Sequence, residues 1–366
     1  MSLVQAESQT ESRFDSPASL RAAKAENPKS RARDLAATLG VSEGELVAAM
    51  VDGDSVVRID PSLDRLIPAL KTLGPVMALT RNESCVHEKD GAYLDYHSGQ
   101  HASMVLGPDI DLRMFPRHWV HAFALDDGEK RSVQVFDAAG DAIHKVHLRP
   151  ASDVAAFTAL VADLRLDDQS DRIETAPRAP VEAAKSNSDK LDVLRAEWDK
   201  LTDTHQFLRL TSKLKMNRLG AYRIAGAPYA VALQPGAVAE TLRRCAEGAV
   251  PVMIFVGNAG CIQIHGGTIH RVEPMGPWIN VLDPGFNLHL RDDHIAEVWL
   301  VSKPTRHGMA VSIEAFDAKG GLILQIFGQR APGSEQAADA ADTKAPLPGT
   351  EGWFAVTQTL RETMGA

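Results

Sequence analysis

Short runs of alternating hydrophobic and polar residues dominate both halves of this chain. Alternation with a period of two predicts strands with one buried face, and the turns between the runs carry Gly, Asp, Asn or Pro. Few helical patterns separate the runs, which favours antiparallel meanders over parallel βαβ units. The predicted strands of the first half are PVMALTR, AYLDYH, ASMVLG, IDLRMF, VHAFAL, SVQVFD and IHKVHL. Those of the second half are VPVMIFV, CIQIHG, WINVLD, FNLHLR, AEVWLVS, AVSIEAF and LILQIFG.

Helical patterning precedes each set of strands, and a charged stretch rich in Pro, Ser and Asn predicts a linker between the halves. We therefore predict an α+β fold, a tandem duplication in which each half is a large antiparallel β-sheet flanked by helices. The predicted organisation is a flexible N-terminus (1–18), an N-terminal repeat (19–166), a linker (167–190), a C-terminal repeat (191–330) and a flexible tail with a terminal helix (331–366).

The duplication rests on matches that keep one order along the chain. Residues 82–86 (NESCV) match residues 258–262 (NAGCI) at an offset of 176, and His118 lies over His294 at the same offset. Repeated matches at one offset are the signature of an internal repeat, and two copies make a tandem pair rather than a solenoid.

The charge balance is acidic, since 39 Lys and Arg against 48 Asp and Glu give a formal net charge of −9. This balance argues against general affinity for nucleic acid or anionic membranes. No apolar run is long enough to span a membrane, and the N-terminus lacks the basic-then-apolar order of a secretory signal. Cys85, Cys245 and Cys261 are too few and too scattered for a disulfide framework or a zinc site. We expect a cytoplasmic protein with reduced, buried cysteines.

The stretch LTDTHQF, residues 201–207, predicts the start of a helix with a histidine in its first turn. Asp203 and Thr204 are good N-cap residues, and an apolar helical pattern follows. The helix dipole at an N-terminus favours neutral imidazole, which is the form that binds a metal. The corresponding residue of the first half is Ser30, at an offset of 175. His205 is therefore particular to the second half, which favours a functional role over a structural one.

The strand IDLRMF carries a second candidate group. Alternation puts Asp111, Arg113 and Phe115 on the face opposite the apolar side chains, and so predicts a cationic, aromatic surface. The matching strand of the second half carries His289 and Arg291 on that face. A surface arginine paired with its neighbouring aspartate explains the same pattern without a ligand.

Motifs of several enzyme classes do not occur. The chain contains no HExxH, CxxC, GxSxG or Walker motif, and no GxGxxG between a strand and a helix. Residues 32–50 look like a helix-turn-helix, but the second helix carries Glu43 and Glu45 and no basic residue. We interpret this pair as structural packing rather than a DNA-binding element.

Five stretches together resemble a known family, the cytoplasmic haemin-utilisation proteins of the HemS type, also called haemin-degrading factors. They are LGPVMALTRNESCVHEKDGAY, GPDIDLRMF, WDKLTDTHQF, VSKPT and IFGQR, and the similarity runs from about residue 35 to residue 330. The family fold is a tandem duplication of an antiparallel sheet with helices, which agrees with the prediction from patterning.

The resemblance implies a site for haem, iron protoporphyrin IX. The histidine of the DTHQF motif, here His205, is the family's proximal iron ligand, and the arginine of IDLR, here Arg113, approaches the distal side. Phe115 is expected to line the pocket. Phe327 stands where some relatives are expected to have tyrosine, so the resemblance implies that a hydroxyl contact is missing. The basic residues expected to meet the haem propionates are Arg218, Lys303 and Arg330.

Function stays open between two classes. We favour a haem carrier that accepts imported haem for trafficking, storage and iron acquisition. The alternative is a haem-degrading enzyme, a non-conventional oxygenase that opens the porphyrin with an external reductant. The absence of a flavin or nicotinamide motif favours the carrier, and a DNA-binding regulator is a weak third reading. A haem importer and a downstream haem oxygenase or electron donor are the expected partners, and His265 and His270 are rival iron ligands.

Overall fold

The computed structural model describes residues 16–330 and 342–366 of the 366-residue chain. The α-helices of the first half are α1 (Pro17–Glu26), α2 (Ala32–Leu39), α3 (Glu43–Ala48), α4 (Leu63–Lys71) and α5 (Val154–Leu164). Those of the second half are α6 (Leu191–Trp198), α7 (Gln206–Lys213), α8 (Arg218–Ala225), α9 (Ala237–Glu247) and α10 (Glu351–Met364). Short 3-10 helices lie at Pro116–His118, Ser188–Lys190 and Asp292–His294.

The strands follow the same two-part order. The first half contributes β1 (Val56–Ile59), β2 (Val76–Arg81), β3 (Cys85–Gly91), β4 (Tyr96–His97), β5 (Ser103–Leu106), β6 (Asp111–Met114), β7 (His121–Asp126), β8 (Arg131–Phe136) and β9 (Ala142–Leu148). The second half contributes β10 (Ala230–Leu233), β11 (Val252–Gly257), β12 (Cys261–Gly267), β13 (Val272–Met275), β14 (Trp278–Asp283), β15 (Phe286–Arg291), β16 (Glu297–Thr305), β17 (Gly308–Phe316) and β18 (Leu322–Gly328).

These strands form two nine-stranded antiparallel sheets with the same topology. Sheet A has the order β1-β7-β8-β9-β2-β3-β15-β14-β13, and sheet B has the order β10-β16-β17-β18-β11-β12-β6-β5-β4. The α+β tandem duplication predicted from the sequence is confirmed. Each sheet takes six strands from one half and three from the other, so the halves exchange strands. Patterning within one strand carries no information about its partner, which is why the exchange was not predicted.

The chain divides into two compact units. The first comprises the described residues up to Val76 together with Ser98–Ser103 and Phe115–Arg178. The second comprises Met77–His97, Met104–Met114 and the described residues from Ala179 onwards. Two segments of the first half thus belong to the second unit, because β3 pairs with β15 and β6 pairs with β12.

Sheet B lies in the second unit and is covered by helices on both faces. Along β16, Val298 and Leu300 pack into the cluster that contains α9 and α10. Trp299 and Val301 alternate with them and pack with α6, α7 and α8. The period of two in the strand thus assigns each side chain to one of two helical layers. The face towards α6, α7 and α8 is called the inner face below.

Several elements were not predicted from the pattern. The strands β1, β3, β10 and β13 and the helices α4 and α9 were missed. Only Tyr96 and His97 of the predicted strand AYLDYH are extended in a ladder, because Asp95 has a φ of 49°, which interrupts the extended backbone before Tyr96. The predicted helix-turn-helix is present as α2 and α3, with Gly40 at φ 74° between them.

The predicted flexible ends fall mostly outside the described residues, namely residues 1–15 and 331–341. The predicted terminal helix is α10, which starts two residues before Trp353. Across the two described stretches of chain, no helix combines the length and apolarity needed to cross a bilayer.

Candidate functional site

His205 is the N-cap residue of α7, so the helix begins one or two residues later than the predicted caps Asp203 and Thr204 imply. The helix begins at Gln206, and the His205 side chain makes no capping bond. The expected cap, Asp203, instead accepts the backbone N–H of His205 at 2.8 Å through Oδ1. An aspartate that bonds two residues ahead forms a turn of its own, and this turn competes with the helix for residues 203–205.

The imidazole of His205 projects into solvent with one nitrogen already engaged. Its side chain is 94% exposed, and Nδ1 lies 2.7 Å from Oδ1 of Asp203. The backbone N–H of His205, followed by the imidazole, lowers the pKa of Asp203, so this oxygen is an anionic acceptor. Within residues 16–330 and 342–366 no hydrogen bond reaches Nε2. This is the arrangement of a metal-binding histidine, with one nitrogen on a carboxylate and the other available.

The loop before α7 is anchored to the rest of the second unit. Gln206 closes a ring with Thr202, since its Oε1 accepts the Thr202 N–H and its Nε2 donates to the Thr202 hydroxyl, both at 3.0 Å. The backbone N–H of Arg306, in the turn between β16 and β17, donates to the Thr202 carbonyl at 3.0 Å. The backbone that carries His205 is therefore tied to sheet B.

An aromatic and apolar strip lies on the inner face of sheet B. Directly opposed residues of an antiparallel ladder point to the same face. Phe327 is opposite Ser312 on β17 and Met253 on β11, and Phe255 follows Met253 on the same face. The rings of Phe255 and Phe327 meet edge to face, with centroids 5.4 Å apart. Met253, Phe255 and Phe327 are half-buried, so this part of the face is partly open.

The same face continues onto β6 and ends at Arg113. Asp111 is opposite Ile264, and Arg113 is opposite Ile262, both on the face that carries Phe255. Arg113 forms an ion pair with Asp111, which is the pairing that explains the sequence pattern without a ligand. The Arg113 side chain is 32% exposed. Burial raises the pKa of Asp111 against the opposing effect of Arg113. The register therefore brings the predicted Arg113 and Phe327 to one face of one sheet.

Phe115 lies beyond the end of β6 and belongs to the first unit. It precedes the 3-10 helix Pro116–His118, its carbonyl accepts the His118 N–H at 3.0 Å, and its side chain is half-buried. The predicted alternation thus continues through Met114 and then ends in a turn.

Two of the predicted propionate ligands meet at a buried carboxylate, Glu314 on β17. Lys303 donates to Oε1 of Glu314 at 3.0 Å, and Arg218 donates to Oε2 at 3.1 Å. Ser312 and Tyr222 also donate to this carboxylate, at 2.8 Å and 3.0 Å. Glu314 is 0% exposed and Lys303 is 4% exposed, whereas the Arg218 side chain remains 22% exposed. We call these five residues the Glu314 cluster.

The Glu314 cluster holds one anion between two cations. Burial opposes ionisation of Glu314, but Lys303 and Arg218 outweigh burial and lower its pKa to about 2. Burial raises the pKa of Tyr222 well above its usual value, so the phenol stays neutral. The cluster therefore carries one positive charge in excess. The Lys303 ammonium also lies 4.9 Å from the ring centroid of Phe207, two residues after His205, so the cluster contacts the helix that carries the histidine.

Arg330 is not part of this cluster. It follows β18, is half-buried, and is the last described residue before the gap at 331–341. Of the three predicted propionate ligands, the structure thus brings Arg218 and Lys303 together and leaves Arg330 apart.

The rival histidines occupy different environments. The ring of His265 is 4% exposed and stacks on Phe286 with centroids 3.7 Å apart, and burial lowers its pKa to about 3. His270 lies in an exposed loop. Its backbone N–H donates to the Asp283 carboxylate at 2.9 Å, and this bond holds the loop. Only His205 of these three combines an exposed ring with a carboxylate on one nitrogen.

The residues that the sequence did not single out are Glu314 and Tyr222. A glutamate inside the apolar strand AVSIEAF was the available signal, because a charge between buried residues needs a partner. Its partners are 11 and about 95 residues away along the chain, so only the fold identifies them.

The duplicated fold corresponds to a known class of protein. The family model of the Haemin-degrading HemS.ChuX domain matches the chain twice, over residues 40–164 and 215–341. The chain therefore belongs to this family, and the resemblance inferred from the five sequence stretches is confirmed.

Three relatives cover most of the chain. The hemin transport protein HmuS of Yersinia pestis is 38% identical over 86% of this chain and 92% of its own length. The structure of holo-PhuS, a heme-binding protein from Pseudomonas aeruginosa, has 44% identity and a TM-score of 0.85, over 96% of this chain and 99% of that one. ChuS, described as an E. coli heme oxygenase, has 31% identity and a TM-score of 0.78, over 92% and 97%.

Proposed function

We propose that this chain is a cytoplasmic haem-binding protein that accepts imported haem and passes it on or stores it for iron acquisition. The observation that carries the proposal is the state of His205. Its imidazole is 94% exposed, and Nδ1 is held by the Asp203 carboxylate, so Nε2 is available to coordinate iron. HmuS, named a hemin transport protein, and holo-PhuS, named a heme-binding protein, support this proposal.

The side chains of the inner face fit the other requirements of haem. Haem is a flat, largely apolar group whose iron takes an axial imidazole and whose two carboxylates attract cations. Half-buried Phe255 and Phe327 offer apolar surface, and Arg113 follows on the same face. In this proposal His205 is the proximal ligand, Arg113 lies on the distal side, and Phe327 lines the pocket, while the role of Phe115, a residue of the first unit, stays a prediction.

The propionates are assigned to Arg218, Lys303 and Arg330. The excess positive charge of the Glu314 cluster supports the assignment of Arg218 and Lys303, because one carboxylate cannot neutralise two cations. Arg218 is the member with solvent-exposed surface, so we propose that it meets a propionate first.

A second candidate function is oxidative opening of the porphyrin ring. One observation favours it, namely that the relative ChuS is described as a heme oxygenase. Electrons for such a reaction would come from an external reductant. The carrier is the primary proposal because the residues assigned above are assigned roles in haem binding, and none of them is assigned a role in opening the ring.

A haemin titration followed in the Soret region tests the proposal. We expect saturable one-to-one binding by the unaltered chain and weaker, spectrally altered binding by Arg113→Ala. Arg243→Ala is the matched control, because Arg243 is an exposed arginine of α9 paired with Glu240 and Glu247, away from the inner face. Absence of saturable binding by the unaltered chain contradicts the proposal.

A second assay separates the two functions. The haem complex is incubated with ascorbate and with catalase, which removes free peroxide. Iron release and a ring-opened product that persist with catalase would establish the enzyme, whereas intact haem supports the carrier.

A further inference from the structure

We infer that Asp203 is a positioning residue that fixes the tautomer of His205 and thereby lowers the ferric/ferrous reduction potential of bound haem. The first part concerns the protein without haem. The second part rests on the proposed function, because it requires His205 to coordinate iron.

The geometry around Asp203 determines which nitrogen of His205 carries the proton. A single oxygen, Oδ1, lies 2.8 Å from the backbone nitrogen and 2.7 Å from Nδ1 of His205. An ionised carboxylate accepts hydrogen bonds and donates none. Nδ1 must therefore carry hydrogen, and in the neutral ring the lone pair lies on Nε2. Because the same oxygen holds both the backbone and the ring, the ring orientation is fixed as well.

The loop that carries Asp203 is also attached to the turn between β16 and β17 of sheet B. The ring between Thr202 and Gln206 and the bond from the Arg306 N–H to the Thr202 carbonyl restrain the residue before Asp203. Restraint of the acceptor limits the entropy lost when the imidazole is ordered. Asp203 is thus a fixed acceptor on a fixed loop.

The duplication supplies an internal comparison. At the offset that aligns Leu214 with Leu39, the residues that correspond to Asp203 and His205 are Pro28 and Ser30. Proline offers no side-chain acceptor, and serine offers no imidazole. The carboxylate and the histidine therefore occur together in the second half alone, as expected if they act as one unit.

The consequence for iron follows from the charge of the acceptor. A carboxylate that accepts Nδ1–H increases the electron donation of Nε2, which stabilises ferric over ferrous iron. A protein that holds haemin in its ferric form resists reduction and the oxygen chemistry that follows it. Asp203 thus biases the site towards carriage, and its removal makes the haem easier to reduce.

The test compares Asp203→Asn and Asp203→Ala with the unaltered chain. The matched control is Asp199→Asn, because Asp199 is an exposed carboxylate four residues upstream that accepts a bond from Tyr229 and does not touch His205. The first readout is the 15N chemical shift of the two ring nitrogens of His205 in the haem-free protein, at a pH where imidazole is neutral. We expect a protonated Nδ1 in the unaltered chain and the control, and a shift towards protonated Nε2 in Asp203→Ala.

The second readout is the reduction potential of the haem complex. We expect Asp203→Asn to raise the potential, since the neutral amide is the weaker acceptor. We expect Asp203→Ala to lower haemin affinity about 10- to 100-fold. A protonated Nε2 in the unaltered chain, or potentials equal in all variants, would overturn the inference.

The two readouts separate this inference from the proposed function. If the unaltered chain does not bind haemin, the proposed function fails, and the effect on the reduction potential fails with it. The nitrogen shifts of the haem-free protein still decide whether Asp203 fixes the tautomer.

Discussion

The two halves of the chain use the same structural position for opposite charges. The first residue of the third helix is Glu43 in α3 and Arg218 in α8, at an offset of 175. In the first half Glu43 forms a buried ion pair with Lys145 of β9. In the second half Arg218 pairs with Glu314 of β17. The duplicated backbone therefore tolerates inversion of the pair, with the partner moved to the neighbouring strand.

The difference shows that the two copies of a duplicated scaffold carry different charge balances at matching positions. One anion faces one cation at Glu43, whereas Glu314 faces both Arg218 and Lys303, which leaves one positive charge in excess. The residue that corresponds to Glu314 in the first half is Gln134. Excess positive charge thus occurs in the half that also carries His205, where an anionic ligand such as the proposed haem would complement it.

The largest effect is expected from Glu314→Gln, which installs the residue of the first half. The buried Lys303 and the partly exposed Arg218 lose their anion, and removal of one partner from a buried ion pair costs about 3–5 kcal/mol. Urea unfolding followed by circular dichroism measures the change in free energy of unfolding. The double variant Glu314→Gln with Lys303→Met should recover part of the loss, since one stranded cation is removed. A loss below about 1 kcal/mol in the single variant contradicts the central place of Glu314.

A smaller loss of stability is expected from His265 when the pH is lowered. His265 corresponds to Lys89 of the first half at an offset of 176. Burial and then Lys89, whose Nζ lies 3.4 Å from Nδ1, lower the pKa of His265 from 6.5 to about 3. The unfolded chain therefore binds one more proton than the folded protein between these values, and stability falls as the pH falls through this window. From about pH 7 to about pH 5 this histidine contributes a loss of about 2 kcal/mol.

Urea unfolding at these two pH values measures that loss. His265→Phe keeps an aromatic ring against Phe286 and removes the titrating group, so its stability should depend less steeply on pH. Equal pH dependence in the variant and the unaltered chain would show that other groups dominate the acid response.

The Glu43–Lys145 ion pair of the first half should contribute less to the free energy of unfolding than the Glu314 cluster does. Glu43→Gln leaves Lys145 without its anion, but the Lys145 side chain is 13% exposed and can extend towards water. We expect a loss of about 1–2 kcal/mol, below that of Glu314→Gln. Equal losses in the two variants would contradict the charge difference between the halves.

The smallest effect is expected from Ser30→His, which places an imidazole at the position that corresponds to His205. Pro28 provides no carboxylate to orient it, so we expect no second haemin equivalent in a Soret titration. The free energy of unfolding should change by less than about 0.5 kcal/mol. Binding of a second equivalent would show that histidine alone creates the site.

The sequence predicted the duplication and most strands, because periodicity and offset matches are local properties. The role of His205 stays a prediction. The sequence missed β3, although this strand pairs with β15 near the middle of sheet A. The run of Glu88, Lys89 and Asp90 hides its alternation. The edge strand β13 was missed because it is only four residues long and Pro274 interrupts it.

The candidate site was predicted only in part, because its parts come together through long-range contacts. The cap pattern indicated Asp203, but its bond to the imidazole depends on the turn at residues 203–205. The sequence predicts that Lys303 and Arg218 bind propionates. In the structure both side chains donate hydrogen bonds to the Glu314 carboxylate. The exchange of strands that brings Arg113 onto sheet B depends on the pairing of β6 with β12, which no local pattern encodes.

The most direct test of the account is a haemin titration of His205→Ala beside the unaltered chain, followed in the Soret region. His270→Ala is the control, since it removes another exposed histidine of the same unit. Because the His205 side chain is 94% exposed, the free energy of unfolding should change by less than about 0.5 kcal/mol. The account predicts loss of the histidine-ligated spectrum in His205→Ala alone. Identical titrations of all three proteins would contradict it.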